Sequence, residues 1–475
     1  MTFRKIVIVS LAIAAMLQTH TPAGAAAPLR GEVISTGLDN SEIFPGTSRR
    51  IQVYVPAEYD GKTPACLLVY MDGGADFIAS HMDTLIAEGS MPVTIGVFID
   101  PGRIRDEEGN YVRFNRSNEY DRVDGRFASF IEKEVLPLVS SLSSSDGRKV
   151  MISGRASDHL IMGGSSGGIC AFNAAFQRPD LFGRVYSVIG TFVSFRGGDQ
   201  YPAIIRKSEP RPMRVFLQDN MDDSWNLLFG SWFEYNRLML SALEFSGYDV
   251  RHQWNEGGHD GRPGVAIMDD VLRWIWSGWP AGIKAGKTGN KALQDIVGDN
   301  PDWKLLKEDM EAGASLAPLD GTGILLNEGR RAYTVTPEGE ISPFKGRVRE
   351  CDPYRAVFPG GSHVARRAEG SNWVWDYIVK EGKEVFGQEF YFLYTDAGQI
   401  LFDDKGYLYC ATSVGIQICD QNGRVRAILS LPGGRVDSIA FAGSKLFAIS
   451  GGRLYVRTLR RSGSFTSAPS SEGEG

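Results

Sequence analysis

The chain has 475 residues, of which 43% are hydrophobic and 23% are charged, and its formal net charge at pH 7 is −6. This composition is typical of a folded protein with a large apolar core, and the length suggests two or three domains. The acidic balance argues against a nucleic-acid partner, because proteins that bind nucleic acids favour a basic surface.

The N-terminus has the pattern of a secretory signal peptide. Arg4 and Lys5 precede the apolar run IVIVSLAIAAML, and small residues follow it. Ala23 and Ala25 form an A-x-A cleavage site, so we expect residues 1–25 to be removed and the mature protein to be secreted or periplasmic. The run is short for a membrane span and no later run is long enough for one, so we expect the mature chain not to associate with a membrane.

The cysteines give little sign of a disulfide framework. Their number, five, is odd, so at least one has no partner inside the chain. Cys66 and Cys170 lie among apolar residues and are interpreted as buried thiols. Cys410 and Cys419 fall on neighbouring predicted strands, where they form either a disulfide or two free thiols. No cysteine spacing resembles a zinc site.

Residues 29–280 alternate strand-like and helix-like stretches, which predicts a three-layer α/β domain with a mostly parallel sheet. The runs ACLLVYM, PVTIGVFI and HLIM are continuously apolar and end in turn residues, as buried central strands do. Further strands are predicted over 49–56, 185–190, 213–219 and 249–260, and helices over 126–139, 169–180 and 265–276.

The stretch IMGGSSGGICAF, residues 161–172, places two serines between a predicted buried strand and a predicted helix. A serine in the pattern G-x-S-x-G at such a turn is typical of the nucleophile elbow of α/β hydrolases. Ser165 and Ser166 both have the flanking glycines, so the residues alone leave both registers open. The alternative is a flexible Gly/Ser turn without a catalytic role.

A serine nucleophile needs a base to take its proton and a carboxylate to orient that base. His259 lies in the glycine-rich stretch NEGGHDG after a predicted strand, which is where α/β hydrolases present the base. The acid is expected after the predicted strand at 213–219. Asp219, Asp222 and Asp223 are the candidates there, and Asp223 lies farthest along the loop, with the most freedom to reach an imidazole.

These motifs resemble those of the enterochelin-esterase and feruloyl-esterase group of α/β hydrolases (carbohydrate esterase family 1 type), over about residues 33–279. The elbow of this group reads G-x-S-x-G-G, a form that Ser165 fits and Ser166 does not. The resemblance therefore implies Ser165 as the nucleophile and His259 as the base. It also implies that the N–H of Ser166 is one donor of the oxyanion hole.

The resemblance implies further site residues. The stretch NMDD is similar to the turn that carries the acid in this group and points to Asp223, although Asn220 stands where the group usually has glycine. The stretch VYMDGG is similar to the turn that supplies the second oxyanion donor, here the N–H of Gly73 or Gly74.

Other residues near these motifs are candidates for contacts with a substrate. The stretch RFNRSNEYDR also resembles the esterase group. Its charged residues Arg116, Glu119 and Asp121 either brace the site through ion pairs or belong to a charged surface loop. Trp225 and Trp254, together with Trp232, lie near the predicted acid and base. These tryptophans are expected to form an aromatic wall for a sugar or an aryl acyl group, with core packing as the alternative.

The C-terminal part differs from residues 29–280 in composition and in its predicted secondary structure. Residues 281–302 predict a linker, and short strands with Gly and Asp turns over 303–460 predict an all-β unit. Residues 398–432 alternate strands and turns in the manner of one propeller blade, and they resemble the regucalcin/gluconolactonase type of β-propeller. A six-bladed propeller needs a longer chain, so the resemblance implies a partial propeller or fewer blades. Residues 461–475 are of low complexity and are predicted to be disordered.

The resemblance to that propeller family does not include its metal site. Gly398 stands where the family has a metal-binding aspartate, and glycine has no side-chain oxygen to offer a hard cation. We therefore expect no metal there, and a unit that packs against the esterase domain, shapes its substrate cleft or binds glycan.

Together these features predict a secreted serine esterase that needs neither a metal nor an organic cofactor. The resemblance implies a small-molecule or polysaccharide ester as substrate. Acetyl or feruloyl esters of carbohydrates are preferred, and a siderophore trilactone of the enterochelin type is the alternative. Outside this enzyme class, a non-catalytic glycan-binding protein and a gluconolactonase-like lactonase stay open. The sequence does not indicate the oligomeric state.

Overall fold

The computed structural model describes residues 29–299, 302–319, 323–346 and 352–464. The predicted signal peptide (1–25), Cys351 and most of the predicted tail (461–475) lie outside the described residues. None of the described helices is long and apolar enough to cross a membrane.

The α/β region contains the strands β1 (Glu32–Asp39), β2 (Thr47–Val55), β3 (Cys66–Met71), β4 (Thr94–Ile99), β5 (Arg103–Arg105), β6 (Tyr111–Phe114), β7 (His159–Gly164), β8 (Arg184–Val188), β9 (Arg214–Asn220), β10 (Trp225–Asn226), β11 (Gly230–Ser231) and β12 (Asp249–Asn255). Its helices are α1 (Ala75–Ala87), α2 (Arg116–Tyr120), α3 (Arg126–Phe130), α4 (Leu136–Ser140), α5 (Ser166–Gln177), α6 (Tyr201–Lys207), α7 (Trp232–Phe245), α8 (Arg262–Ala266) and α9 (Met268–Trp276). Helix α10 (Lys291–Val297) follows the α/β region. A π-helical turn (Ile131–Val135) joins α3 to α4.

Ten of these strands form one mixed sheet in the order β12-β9-β8-β7-β3-β4-β2-β5-β6, with β1 paired to β2. Neighbours from β12 to β4 are parallel, whereas β2 runs antiparallel to β1, β4 and β5. The prediction of an α/β region with a mostly parallel central sheet is confirmed. The carboxyl ends of β3, β7, β8, β9 and β12 meet at one edge of the sheet, so the loops that follow these strands lie close together.

Strand β3 shows why the central strands are continuously apolar. Leu67 and Val69 pack into the apolar layer that contains α5, whereas Cys66 and Leu68 pack into the layer that contains α1 and α9. Neighbouring residues of a strand point to opposite faces of the sheet. A strand covered on both faces therefore needs apolar residues at successive positions.

The all-β region contains the strands β13 (Lys304–Lys307), β14 (Ser315–Leu319), β15 (Gly323–Glu328), β16 (Arg331–Val335), β17 (Ile341–Pro343), β18 (Arg355–Val357), β19 (His363–Arg367), β20 (Trp373–Lys380), β21 (Lys383–Phe392), β22 (Ile400–Phe402), β23 (Leu408–Thr412), β24 (Gly415–Cys419), β25 (Val425–Leu429), β26 (Val436–Ala442), β27 (Lys445–Ser450) and β28 (Arg453–Thr458). They form four four-stranded antiparallel sheets, in the orders β13-β28-β27-β26, β14-β15-β16-β17, β18-β19-β20-β21 and β22-β23-β24-β25. The predicted blade at 398–432 corresponds to the last of these sheets.

Both cysteines of the predicted strand pair are buried and carry free thiols. No disulfide joins Cys410 of β23 to Cys419 of β24, so of the two alternatives the structure has the free thiols. Cys66 and Cys170 are also buried free thiols, as interpreted from their apolar neighbours.

The all-β region packs directly against the α/β region. Ser208, just after α6, forms a parallel bridge with Ile428 of β25, and the Glu209 N–H donates to the Ile428 carbonyl at 3.1 Å. These bonds cover part of the outer edge of β25, which would otherwise be open. One apolar cluster contains Phe176 of α5 together with Val414 and Ile428, so the two regions share a core.

Helix α10 lies inside the predicted linker. Its residues Leu293 and Ile296 are buried in an apolar cluster with Ala427 and Leu429 of β25. Asn290, which precedes the helix, donates from Nδ2 to the carbonyls of Arg206 and Arg426 at 3.2 and 2.9 Å. This stretch is therefore packed against both regions.

Candidate active site

The turn between β7 and α5 holds Ser165 in a backbone conformation with φ 58° and ψ −121°. A non-glycine residue with positive φ at a strand-to-helix turn is what a nucleophile elbow requires. A Cβ atom on Gly163 would lie 2.8 Å from the carbonyl carbon of Gly167. The two backbone segments therefore pass each other only because Gly163 has no side chain.

The structure brings Ser165, His259 and Asp223 together from three loops at the same sheet edge. Ser165 Oγ lies 2.8 Å from His259 Nε2, and His259 Nδ1 lies 2.7 Å from Asp223 Oδ1. The Asp223 side chain is fully buried, whereas 31% of the His259 side chain is exposed. Such an arrangement can pass a proton from a hydroxyl to an imidazole whose charge the carboxylate stabilises.

Ser166 occupies a different environment from Ser165. It is buried, and its side chain lies near the buried carboxyl of Asp121. Burial raises the pKa of Asp121, while the neighbouring hydroxyls of Ser117 and Ser166 act in the opposite direction. Of the two serines that the sequence left open, Ser165 is the one that lies against His259.

The three candidate acids have separate places. Asp223 contacts His259, and its N–H donates to the Asn220 carbonyl at 3.1 Å. Asp222 lies on the same loop, where its N–H donates to the Gly257 carbonyl at 3.0 Å. Asp219 is fully buried near the end of β9, and its carboxyl neighbours that of Asp223.

Asn220, which departs from the pattern of the resembled family, holds the loop that carries His259. Its Nδ2 donates to the carbonyls of Gly258 and Asp260, at 2.7 and 2.8 Å. These two carbonyls flank His259 along the chain. A glycine at position 220 could not make either bond.

The turn after β3 lies beside the elbow. Asp72, Gly73 and Gly74 have φ values of 73°, 72° and 87°, and α1 begins directly after them. Arg116 donates from Nε and Nη2 to the two oxygens of Asp72, each at 2.7 Å, and from Nη2 to the Gly164 carbonyl at 3.3 Å. Arg116 therefore ties this turn to the end of β7, the role of a brace.

Glu119 and Asp121, the other members of the predicted brace, point into the protein. Glu119 forms a fully buried ion pair with Arg49 at 2.7 Å and accepts from the Gly102 N–H at 3.1 Å. Asp121 lies beneath Ser166. The surface-loop alternative therefore does not describe these two residues.

Thr191 is a neighbour of Ser165 that was not predicted from the sequence. Its Oγ1 lies 3.3 Å from Ser165 Oγ and accepts from Trp232 Nε1 at 3.2 Å. Thr191 follows β8, the neighbour of β7, and residues after adjacent parallel strands meet at one edge. That placement is the signal by which Thr191 could have been found.

The three tryptophans lie in three different environments and do not form one continuous aromatic surface. Trp232 lies against His259, with ring centres 6.0 Å apart. Trp254 packs against Phe233 and His252. Trp225 is 67% exposed on the β10–β11 hairpin, which begins two residues after Asp223. Of these three tryptophans, Trp232 is the one whose ring lies against that of His259.

In the described part of the chain, no group of three or more His, Cys, Asp or Glu side chains is arranged to hold a metal ion. Gly398 makes a backbone bond from its N–H to the Ala411 carbonyl at 2.7 Å.

Residues 41–231 match the model of a family whose description is "Putative esterase". The matched segment contains Ser165 and Asp223 and ends before His259. None of the curated proteins matches the chain.

Several solved structures are similar to the α/β region. A ferulic acid esterase has 16% sequence identity over 52% of this chain and 98% of its own, with a TM-score of 0.40. The enterobactin esterase from Shigella flexneri, in the presence of enterobactin, has 19% identity over 54% of this chain and 63% of its own, with a TM-score of 0.41. A mutant feruloyl esterase module from Clostridium thermocellum, complexed with sinapinate, has 14% identity over 53% of this chain and 90% of its own, with a TM-score of 0.38. This chain therefore spans less than two thirds of the enterobactin esterase. Its similarity to the esterase family covers the segment that carries Ser165 and Asp223.

Proposed function

We propose that this protein is a serine carboxylic-ester hydrolase. The observation that carries the proposal is the continuous chain of contacts from Ser165 Oγ to His259 Nε2 at 2.8 Å and from His259 Nδ1 to Asp223 Oδ1 at 2.7 Å. The match of residues 41–231 to an esterase family supports the same reaction class.

In the proposed reaction, Ser165 Oγ attacks the ester carbonyl while His259 Nε2 takes its proton. The tetrahedral oxyanion accepts hydrogen bonds from the N–H of Ser166 and from the turn at Gly73 and Gly74. Ser166 is the first residue of α5, and the first N–H groups of a helix have no intrahelical acceptor, which suits its N–H to this role. His259 then donates its proton to the leaving alcohol, and an acyl-enzyme remains on Ser165. A water molecule deprotonated by His259 releases the acid.

The proposed substrate is an acyl ester of a carbohydrate. The surface next to the triad favours an apolar acyl group such as feruloyl over acetyl. The β10–β11 hairpin exposes Trp225, Leu227 and Leu228, which are 67%, 86% and 81% accessible, directly after Asp223. Exposed apolar side chains grouped at the edge of a site are typical of a surface that contacts a ligand.

We also propose that the mature protein is exported after cleavage of residues 1–25.

We further propose that the all-β region is a four-bladed propeller. Two observations support the propeller. The strands of this region that the structure describes form four sheets of four antiparallel strands each. In addition, β13, from the start of the region, pairs with β28 from its end, so that Lys304 lies opposite Val456.

The reaction is tested with p-nitrophenyl acetate and methyl ferulate on the mature protein and on Ser165→Ala and Ser166→Ala. We expect Ser165→Ala to lose at least about 1,000-fold in kcat/KM on both esters, whereas Ser166→Ala keeps most of the activity. Loss in Ser166→Ala alone would assign the nucleophile to the other register. Turnover that survives in Ser165→Ala would exclude the proposed mechanism.

A further inference from the structure

Two carboxyl groups lie side by side behind His259. Asp219 is fully buried, and its Oδ1 accepts from the Asn220 N–H at 2.7 Å. Asp223 Oδ1 accepts from His259 Nδ1–H at 2.7 Å. The other oxygen of each group, Oδ2, is buried and has no hydrogen-bond donor in the described part of the chain. The two side chains are close neighbours, and each acts directly on the ionisation of the other.

Two ionised carboxylates cannot share a hydrogen bond, because each can only accept, and their charges repel. A single proton on Asp219 removes the conflict, since a carboxylic acid can donate to the neighbouring carboxylate. Burial and the neighbouring Asp223 raise the pKa of Asp219 well above its usual range. Burial also opposes the charge of Asp223, but the hydrogen bonds from His259 and Asp219 outweigh it and lower the pKa of Asp223.

Neutral side chains face Asp219 from the neighbouring elements. Asn236 of α7 lies next to it, and Trp254 of β12 lies opposite it in the sheet. The charge that acts on Asp219 is therefore that of Asp223, with His259 beyond it.

We propose that Asp219 is a positioning residue that stays protonated and donates a hydrogen bond from Oδ2 to Oδ2 of Asp223. The pair then carries one negative charge, shared across the hydrogen bond and located mainly on Asp223. This assignment rests on the proposed function, because it gives the triad's acid its own supporting residue.

The hydrogen bond has two consequences for His259. It fixes the rotation of the Asp223 carboxyl group, so that Oδ1 stays directed at Nδ1–H. It also leaves His259 beside one negative charge rather than two, and a second carboxylate would raise the pKa of the imidazolium. The acid limb of the pH profile of kcat/KM reports that pKa in the free enzyme.

The test compares Asp219→Asn and Asp219→Leu with the wild type, using p-nitrophenyl acetate over a range of pH. Asn keeps a neutral side chain with an N–H donor, so we expect kcat/KM within about threefold of the wild type and an unchanged acid limb. Leu has a similar volume but no donor. We expect Asp219→Leu to lose at least about tenfold in kcat/KM and to shift the acid limb to higher pH, because Asp223 becomes more basic.

The opposite result would overturn the proposal. If Asp219 were ionised in the native protein, Asp219→Asn would remove a charge. Its acid limb would then move to lower pH and its rate would fall. Thermal unfolding of each variant establishes that the comparison is made on folded protein.

An infrared measurement tests the proton itself and does not depend on turnover. Burial also raises the pKa of Asp121, Glu209 and Asp403, so the difference spectrum between the wild type and Asp219→Asn is recorded at pH 7. We expect a C=O stretching band of a protonated carboxyl in the wild type and in Ser165→Ala that disappears in Asp219→Asn. A difference spectrum without this band contradicts the protonated state. This result is independent of whether Ser165 is the nucleophile.

Discussion

At the candidate site, individual side chains fix the positions of the loops that carry the reacting residues. Asn220 connects the loop after β9 to the loop after β12, because its Nδ2 donates to the carbonyls of Gly258 and Asp260. Its Oδ1 accepts from Gln218 Nε2 at 2.9 Å, which fixes the orientation of the amide. The position of His259 relative to Asp223 therefore depends on a side chain that takes no part in the proposed chemistry.

We expect Asn220→Ala to lower kcat/KM by roughly 10- to 100-fold, because a small displacement of the base weakens proton transfer by about this much. The measurement is steady-state hydrolysis of p-nitrophenyl acetate. The matched control is Asn422→Ala, an exposed asparagine of the all-β region, which should leave kcat/KM unchanged. Equal activity of both variants would show that backbone bonds alone hold the loop.

The buried Asp219 also predicts how stability depends on pH. Its pKa is raised by burial and by Asp223, whereas in the unfolded chain an aspartate ionises near pH 3.9. The contribution of Asp219 to the free energy of unfolding is fully present below about pH 4. It is lost as the pH rises towards the pKa of Asp219 in the folded protein, because over this range the native state binds one proton more than the unfolded state.

We therefore expect the free energy of unfolding of Asp219→Asn, relative to that of the wild type, to increase by about 1.4 kcal/mol per pH unit between pH 5 and 7. Urea unfolding at pH 5, 6 and 7 measures this difference. Parallel curves for the two proteins would mean that Asp219 has an ordinary pKa in the folded state.

Which site residues the sequence reveals depends on how local their signal is. His259 and the elbow serines stand in glycine-rich stretches, so their types and spacing were sufficient to single them out. Thr191 has no such pattern, and it meets Ser165 only because β8 lies beside β7. Arg116 was a candidate for contact with a substrate, but its guanidinium is taken by Asp72, 44 positions away along the chain. A long-range contact of this kind leaves no local trace.

At the scale of elements, apolar continuity predicted the central strands because these strands are covered on both faces. Helix α7 and strand β1 were not predicted. Both are only partly buried, and β1 alternates between exposed and half-buried residues. In β1, exposed positions interrupt the apolar run that marks the central strands.

The elbow offers a test of packing with its own control. A Cβ on Gly163 would lie 2.8 Å from backbone atoms of Gly167, whereas a Cβ on Gly164 would meet nothing closer than 3.9 Å. We expect Gly163→Ala to lower the free energy of unfolding by about 1–3 kcal/mol and to reduce ester hydrolysis, because the elbow backbone must move. Gly164→Ala should stay within about 0.5 kcal/mol of the wild type. Thermal or urea unfolding of both variants decides the matter, and equal destabilisation would contradict the close approach.

For the whole molecule, the important observation is that the two regions share one apolar cluster. The sequence indicated a boundary near residue 281, where composition changes, and the structure has a packed helix in that stretch. Composition cannot reveal this, because α10 is short and its buried face is completed by residues of β25. The pairing of Ser208 with Ile428 likewise depends on residues more than 200 positions apart.

The contact between the regions contains a buried ion pair. Arg457 Nη1 donates to Glu209 Oε1 at 2.6 Å, and the two side chains are 4% and 15% exposed. Glu209 Oε2 also accepts from the Ser430 N–H at 3.2 Å. Burial raises the pKa of Glu209, while Arg457 acts in the opposite direction.

Arg457→Met removes the cation and leaves the Glu209 carboxyl buried without its partner. We expect this variant to lose about 3–5 kcal/mol of stability, the typical cost of breaking a buried pair. The double variant Arg457→Met with Glu209→Gln should lose less, because no charge then remains buried. Arg435→Met, which breaks an exposed pair with Asp437, should stay within about 1 kcal/mol of the wild type. Urea unfolding followed by tryptophan fluorescence measures the stability of all three variants.

If the two regions unfold together, ester hydrolysis should disappear over the same range of urea as the fluorescence change. Separate transitions, with hydrolysis retained after the first, would show that the α/β region does not depend on this contact.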